Sequence, residues 1–329
     1  MTDTSGNGAL KTSGYTDVGK RKHNEDAFLI DRELGLYVVA DGVGGHHSGE
    51  VASALTIEVI QREVAAGKDL DTAIQAANQA VIEGVSSGKG KAGMATTVVA
   101  LKLSGTRFEV AWIGDSRAYL WDGKLALLTR DHSFVEMQLA AGRITQEEAR
   151  VHPRRHVIMQ AIGLQMEGRL NVGHNSGELG EGNSLLLCSD GVTDPLDSEQ
   201  LSHLLGRDTA LEQTCNNLVE TALQCGGKDN ATAVVLAYHR DADKDLAPGS
   251  AREVVWVYNP DTGEYEGLPD TTPEINLEET QVMRVSPSSA KPEEAHDSGG
   301  HAGGIGWQYI WGVAIVGTAL GLALVYALG

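Results

Sequence analysis

Cysteine is scarce in this chain. Cys188, Cys215 and Cys225 are the three in 329 residues, too few and too unevenly placed for a disulfide framework, which points to a reducing compartment. Cys188 falls inside an apolar run and reads as core, and no cysteine lies in a phosphate-cradling loop, so covalent catalysis by a thiolate is unsupported. Positive charge is also in deficit. With 26 Lys and Arg against 45 Asp and Glu the net charge is −19, which argues against a nucleic-acid partner held through its phosphates. Residues 241–306 carry 14 acidic and 4 basic side chains, about half of that net charge in a fifth of the chain. The opening residues, MTDTSGNGAL, have neither a basic start nor an apolar stretch, so no signal peptide is expected. What remains is 41% apolar, enough for one large domain with a sizeable core and additional material.

The organising stretch is GLYVVADGVGGH, residues 35–46. A buried-strand run, residues 36–40, ends in Asp41-Gly42 and two more glycines, delivering a carboxylate into a loop where backbone can approach closely. A single Asp-Gly pair is an ordinary turn, but the device recurs. SLLLCSDG places Asp190 after an apolar run, FEVAWIGDSR places Asp115, and Asp229-Asn230 immediately precedes the run 231–238. In an antiparallel sheet the end of one strand lies beside the start of its neighbour, so these four carboxylates can meet at one sheet edge. Gathered carboxylates repel unless a cation sits between them. The set is all oxygen, with no Cys or His at ligand spacing, which favours Mg²⁺ or Mn²⁺ over Zn²⁺ or Cu²⁺. Such a set can hold two ions roughly 3.5–4 Å apart, able to activate a water for in-line displacement at phosphorus.

Six motifs then stand in order: Arg21 with Glu25-Asp26, Asp41-Gly42 to Gly45, Thr96-Thr97, Gly114 to Arg117, Ser189 to Gly191, and Asp229-Asn230. Together, over roughly residues 8–240, they resemble the metal-dependent serine/threonine protein phosphatases, the PPM or type 2C family. The resemblance implies an α+β fold of two packed antiparallel sheets flanked by helix pairs, a four-layer sandwich. It also implies the site. Asp41 would bridge two Mn²⁺ or Mg²⁺ ions, Gly42 would offer its carbonyl, and Asp190 and Asp229 would complete the ligands. Asp115 with Asp190 would hold a third, weaker ion. Arg21 would grip the substrate phosphate through its planar fork, and Glu25, Asp26 and Asn230 would orient waters and ligands around the ions. The implied activity is hydrolysis of phosphoserine or phosphothreonine by a metal-activated water, without a covalent intermediate. One departure concerns the general acid: animal members have a His in the D-G-x-G-G loop where this chain has Val43, and a metal-bound water is the first candidate instead. Ala95 stands where the family often has Gly.

Taken in order, residues 10–18 read as a first strand, followed by the basic cluster Lys20-Arg21-Lys22-His23. Ser48-Gly49-Glu50 starts a helix that Gly67 ends, and Asp71 is expected to cap a second, stopped by Ser86-Ser87-Gly88. His46 and His47, after the glycine loop, read equally well as structural or catalytic. Short runs at 96–103, 107–113, 117–121 and 125–128, divided by Ser104-Gly105 and Asp122-Gly123, predict an antiparallel meander. Residues 129–168 interrupt it with a helix near 134–141, a turn at Gly142, a capping box Thr145 to Glu148 and a basic run 150–156. In bacterial family members this region is a flap beside the metals; Arg154, Arg155 and His156 read equally as functional or as a solvated face. A strand at 184–188, helices at 198–205 and 210–224 and a closing strand at 232–238 complete the domain, residues 1–240.

Beyond Arg240 the composition turns acidic and polar, and residues 241–306 are expected to be a flexible linker. The island 254–258, VVWVY, reads as a short strand that docks on the domain or on a partner. Thr271, Thr272 and Thr280, set among acidic residues, are candidate phosphorylation sites for a phosphothreonine-binding module. Residues 307–328 hold no charge over 22 positions, long enough for a transmembrane helix, with Trp307, Tyr309, Trp311 and Tyr326 where interfacial aromatics belong. The expected localisation is a single-pass C-terminal anchor with the catalytic domain in the cytoplasm. Expected partners are phosphorylated proteins, a cognate Ser/Thr kinase and the membrane. Two alternatives differ in class or target: a membrane-tethered pseudo-phosphatase scaffold that binds phosphoproteins, and a regulatory phosphatase acting on an anti-sigma-type partner, whose known relatives carry sensory domains not found here.

Overall fold

The computed structural model describes residues 9–44, 48–164, 169–239, 256–259 and 264–267. Its first strands are β1 (Ala9–Asp17), β2 (Asp26–Asp31) and β3 (Leu36–Val43). Helices α1 (Gly49–Ala65) and α2 (Leu70–Ser86) follow, then β4 (Ala95–Thr96), β5 (Val98–Ser104), β6 (Arg107–Ile113), β7 (Arg117–Trp121) and β8 (Leu125–Leu127). After the short helices α3 (Phe134–Ala140) and α4 (Gln146–Arg150) come β9 (Gly173–Glu178), β10 (Ser184–Cys188), α5 (Asp190–Thr193), α6 (Ser198–Leu205), α7 (Leu211–Gln224) and β11 (Ala231–His239).

The pairs among these eleven strands are all antiparallel, and they form two sheets. One runs β1-β11-β10-β7-β8; the other runs β2-β3-β5-β6-β9, with β4 paired to β3. Side chains alternate across a strand, and β3 shows why its run is apolar throughout. Tyr37 and Val39 join Val99, Val110, Leu185, Leu187 and Val234 between the sheets. Leu36, Val38 and Ala40 face the other way, onto Ile57, Ile60, Ile74 and Val81 of α1 and α2. The opposite outer face repeats the arrangement with Leu186, Cys188, Ala233 and Val235 under Leu201, Leu204, Leu218 and Val219 of α6 and α7. A strand buried on both faces has no polar side, and the result is the expected helix-sheet-sheet-helix order.

Several local expectations need correction. Asp69 rather than Asp71 caps α2, its carboxylate accepting from the Thr72 N–H; Asp71 sits in the first turn. The strands β2 and β9 and the one-turn helix α5 go unread in the sequence. The capping box of α4 is present with both of its hydrogen bonds. Within the segment expected to be linker, β12 (Trp256–Asn259) and β13 (Glu264–Gly267) pair as a two-stranded sheet. Among the described residues no helix is long and apolar enough to cross a membrane; the expected span 307–328, the candidate threonines and His46 and His47 lie outside the described residues.

Candidate metal centre

The strand ends do converge. Asp26 lies opposite Asp41 in the β2–β3 register, and the Asp26 carboxylate accepts from Ser189 Oγ at 2.7 Å and Thr232 Oγ1 at 2.6 Å, one from each of two strand ends in the other sheet. A single carboxylate thereby ties the sheets together at the cluster. Thr97 N–H and Thr96 Oγ1 both donate to the Asp41 carbonyl at 2.8 Å, fixing the turn that presents its side chain and giving the Thr-Thr pair its work. Asn230 is a fastening point: its Nδ2 donates to the carbonyls of Val18 and His23, and its Oδ1 accepts from the Glu25 N–H. That binds the Arg21 loop to the residue beside Asp229. Arg21 Nη2 in turn donates to Asp229 Oδ2 at 2.6 Å, which puts the half-exposed guanidinium within electrostatic reach of Glu25 and Asp41.

The electrostatics of this cluster are those of crowded, dehydrated carboxylates. Burial first, then repulsion from Asp26, Asp190, Asp229 and Asp115, raises Asp41 well above the ordinary carboxylate range. Burial, followed by Asp115, Asp194 and Asp229, does the same to Asp190. Asp115 is pushed up to about 7 by burial and the Asp131 charge, Glu25 to about 7 by burial and Glu50, and Asp26 to about 6 by burial against its two hydroxyl hydrogen bonds. Two shielded oxygens, Asp26 Oδ1 and Asp190 Oδ1, have no hydrogen-bond partner among the described residues. Oxygens left bare in a repelling, all-oxygen set fit hard divalent cations, which would supply the missing charge and the missing partners together.

Two residues join the cluster that motif reading had not assigned. Among the described residues, His156, Asp190 and Asp194 each place one ligand atom within 4.8 Å of the others. His156 Nδ1 is 3.1 Å from Asp194 Oδ2. For Asp194 the only hint in the sequence is its place four positions after Asp190; His156, which the sequence left open between function and a solvated face, is delivered by the flap. That flap is held at its roots. Residues 130–132 are tied to the β6–β7 corner by His132 N–H to the Gly114 carbonyl at 2.8 Å, Trp112 Nε1 to the Arg130 carbonyl at 2.8 Å, and a bidentate Arg117–Asp131 pair at 2.9 and 2.6 Å. Bridges Ser133 to Ile158 and Thr96 to Ile162 close it. Helix α3 buries no residue and α4 only Ala149, so the flap's position rests mainly on these roots. Val43 pairs with Ala95 and brings no proton donor. The thiols of Cys188 and Cys215 are buried, and burial pushes both up to about 12, consistent with core positions.

A pH dependence follows from the raised carboxylates. In the metal-free protein the folded state holds protons on Asp26, Asp115 and Glu25 more tightly than the unfolded chain does. Their contribution is therefore fully present below about pH 4 and is lost as pH rises to about 7. Thermal unfolding in EDTA is expected to show Tm falling by ~5 °C between pH 5.5 and 7.5, and excess Mn²⁺ should reverse the trend because ligands must be deprotonated to bind. A Tm that rises over that interval in EDTA would contradict the reading.

A family model described as protein phosphatase 2C matches residues 13–232. The serine/threonine protein phosphatase PstP of Mycobacterium tuberculosis (strain ATCC 25618 / H37Rv) is 39% identical over 235 residues, covering 69% of this chain and 44% of that protein. The serine/threonine phosphatase stp of Listeria monocytogenes serovar 1/2a is 33% identical over 241 residues, covering 69% of this chain and 94% of that protein. This chain thus spans less than half the length of the mycobacterial relative and nearly all of the listerial one. Among solved structures, the catalytic domain of a PstP in complex with two manganese ions superimposes with a TM-score of 0.62 at 35% identity, over 70% of this chain and 98% of that one.

Proposed function

The chain belongs to the protein phosphatase 2C family, and on that premise we propose that it is a metal-dependent phosphatase that hydrolyses phosphoserine and phosphothreonine in proteins. The observation that carries the proposal is the meeting of Asp41, Asp190, Asp229 and Asp115 at one end of the sandwich, with shielded oxygens on Asp26 and Asp190 that have no hydrogen-bond partner among the described residues. Asp41, the Gly42 carbonyl, Asp190 and Asp229 would hold two Mn²⁺ or Mg²⁺ ions, as a relative holds two manganese ions; Asp115 and Asp190, with Asp194 and His156 beside them, would hold a third, weaker one. When bound, the ions lower the pKa of water and offset charge developing at phosphorus.

The chain's own residues do the rest. Arg21 has one Nη donor on Asp229, and the remaining donors of its fork suit phosphoryl oxygens. Asn230 and Glu25 keep the Arg21 loop and the Asp41 turn in register across the two sheets. No side chain of the Asp41-Gly42-Val43 turn offers a proton to the leaving oxygen, so that role falls to solvent at the centre or to the flap. The finer reading rests on the sequence: a substrate set written by a cognate Ser/Thr kinase, a linker that is itself phosphorylated at Thr271, Thr272 or Thr280, and residues 307–328 anchoring a cytoplasmic domain to the membrane.

Hydrolysis of p-nitrophenyl phosphate and of a phosphothreonine peptide by the full chain, with Mn²⁺, Mg²⁺ or EDTA, tests the proposal. Turnover that requires the divalent ion is the expected result. Folded, Mn²⁺-binding protein that turns over neither substrate would move the reading to a scaffold that binds phosphoproteins.

A further inference from the structure

Lys20, Lys22 and Lys228 are exposed, and among the described residues they make no ion pair or hydrogen bond. Their neighbourhood is unusual in an acidic chain. The loop that carries Lys20 and Lys22 is clamped to the Asp229-Asn230 corner: Asn230 Nδ2 holds the carbonyls of Val18 and His23 at 2.9 and 3.0 Å, and a Cβ on Gly19 would fall 2.2 Å from the Asp229 carbonyl oxygen. Lys228 precedes Asp229 directly. Three lysines therefore belong to two adjoining loops around Arg21, which reaches Asp229 Oδ2 at 2.6 Å. On the flap, by contrast, Arg154 is engaged, its guanidinium 3.9 Å over the Phe134 ring.

Unpaired surface lysines contribute little to fold stability, so the fold does not account for the grouping. The chemistry of the reaction does. A phosphoprotein approaches a chain of net charge −19 at a centre made of carboxylates, and any further negative group near its phosphorylated residue would be repelled there. An extended segment advances about 3.3 Å per residue, so an anion one to three residues from the phosphorylated side chain lies within reach of a lysine beside Arg21.

We propose that Lys20, Lys22 and Lys228 form a second anion subsite, which selects phosphorylated segments carrying another negative group, a carboxylate or a second phosphate, within about three residues of the reacting one. The inference rests on the phosphatase reading and gives it a substrate class. Arg21 takes the phosphate that is cleaved; the lysines take the anion that is not. Because the lysines are solvated, the contribution is screened by salt.

The test uses the full chain and its Lys20→Ala/Lys22→Ala/Lys228→Ala variant with Mn²⁺. Substrates are p-nitrophenyl phosphate and three phosphothreonine peptides of equal length: one with neutral flanks, one with Asp flanks, one with a second phosphoserine two residues away. For the unsubstituted protein, KM for at least one anionic peptide is expected to be about 5- to 10-fold below that for the neutral peptide. The variant loses that advantage, as does the unsubstituted protein in 0.5 M NaCl, while kcat for p-nitrophenyl phosphate stays unchanged. An advantage confined to the second phosphate identifies the anion as phosphate; one shared by the Asp peptide shows that carboxylates suffice. Equal KM for all three peptides, or a variant that weakens neutral and anionic peptides alike, overturns the subsite. If the unsubstituted protein turns over nothing, the phosphatase reading itself falls, and the subsite with it.

Discussion

Asp41→Asn is expected to lower turnover of p-nitrophenyl phosphate by about 10³-fold or more, and at the same time to make the metal-free protein more stable. Both effects have one cause. The half-buried Asp41 carboxylate is crowded by Asp26, Asp190, Asp229 and Asp115, an arrangement that costs the fold repulsion and dehydration and repays it only when cations are bound. The amide keeps the shape, and the backbone that holds it, with Thr97 N–H and Thr96 Oγ1 on the Asp41 carbonyl, is untouched by the change. What disappears is the negative charge, and with it one of the carboxylates that would hold the ions. Thermal unfolding at pH 7.5 should therefore show a higher Tm for the variant than for the unsubstituted protein in EDTA, and a smaller rise on adding Mn²⁺. Activity near the unsubstituted level would remove Asp41 from the mechanism. A lower Tm in EDTA would mean that the carboxylate is held by something other than an ion.

Gly191→Ala should be nearly as damaging without touching a ligand. A Cβ at this position would lie 1.8 Å from the Asn230 carbonyl oxygen and 2.8 Å from its carbon. Both are backbone atoms, so no side-chain rotation can make room. Either α5, which begins at Asp190, or the Asp229-Asn230 corner must move, and the distance between the two expected ligands changes. A loss of about 1–3 kcal/mol of stability is expected from the overpacking, with a fall of about 10²-fold in kcat/KM from misplacement on the ångström scale. Guanidinium unfolding and steady-state kinetics measure the two. A variant as stable and as active as the parent would show that the close approach is not needed, and that the glycine of the Ser189-Asp190-Gly191 motif has some other reason.

The same contact explains why some of the site was legible and some was not. An apolar run next to an aspartate is a local pattern, and it marked Asp41, Asp115, Asp190 and Asp229 because each lies within about two residues of an end of its strand: Asp41 inside β3, Asp115 and Asp190 just after β6 and β10, and Asp229 just before β11. The expectation of an all-oxygen set followed from the residue types of those four; the structure adds a nitrogen donor, His156, beside Asp190 and Asp194. Asp194 was missed and His156 was left open between a functional role and a solvated face, because their relation to Asp190 exists only after the flap has been tied down by Arg117–Asp131 and the Thr96–Ile162 bridge. The polar strand β9, GHNSGE, carries no period-two signal. It is a sheet edge with exposed side chains, and what makes it a strand is the partner β6. The capping of α2 by Asp69 in place of Asp71 is a smaller case: two aspartates two residues apart are equivalent candidates until the backbone selects the one whose carboxylate meets a free N–H.

By itself the sequence determined the order of most elements, the burial of the strand at residues 36–40 and which aspartates stand beside apolar runs, since each depends on neighbours along the chain. The tertiary structure alone decided the pairings across long separations. Arg21 meets Asp229, Asn230 clamps the loop from Val18 to His23, and Asp26 joins Ser189 to Thr232. Such contacts carry no local pattern, because the residues that make them are brought together by the packing of two sheets and not by the spacing of side chains along either one.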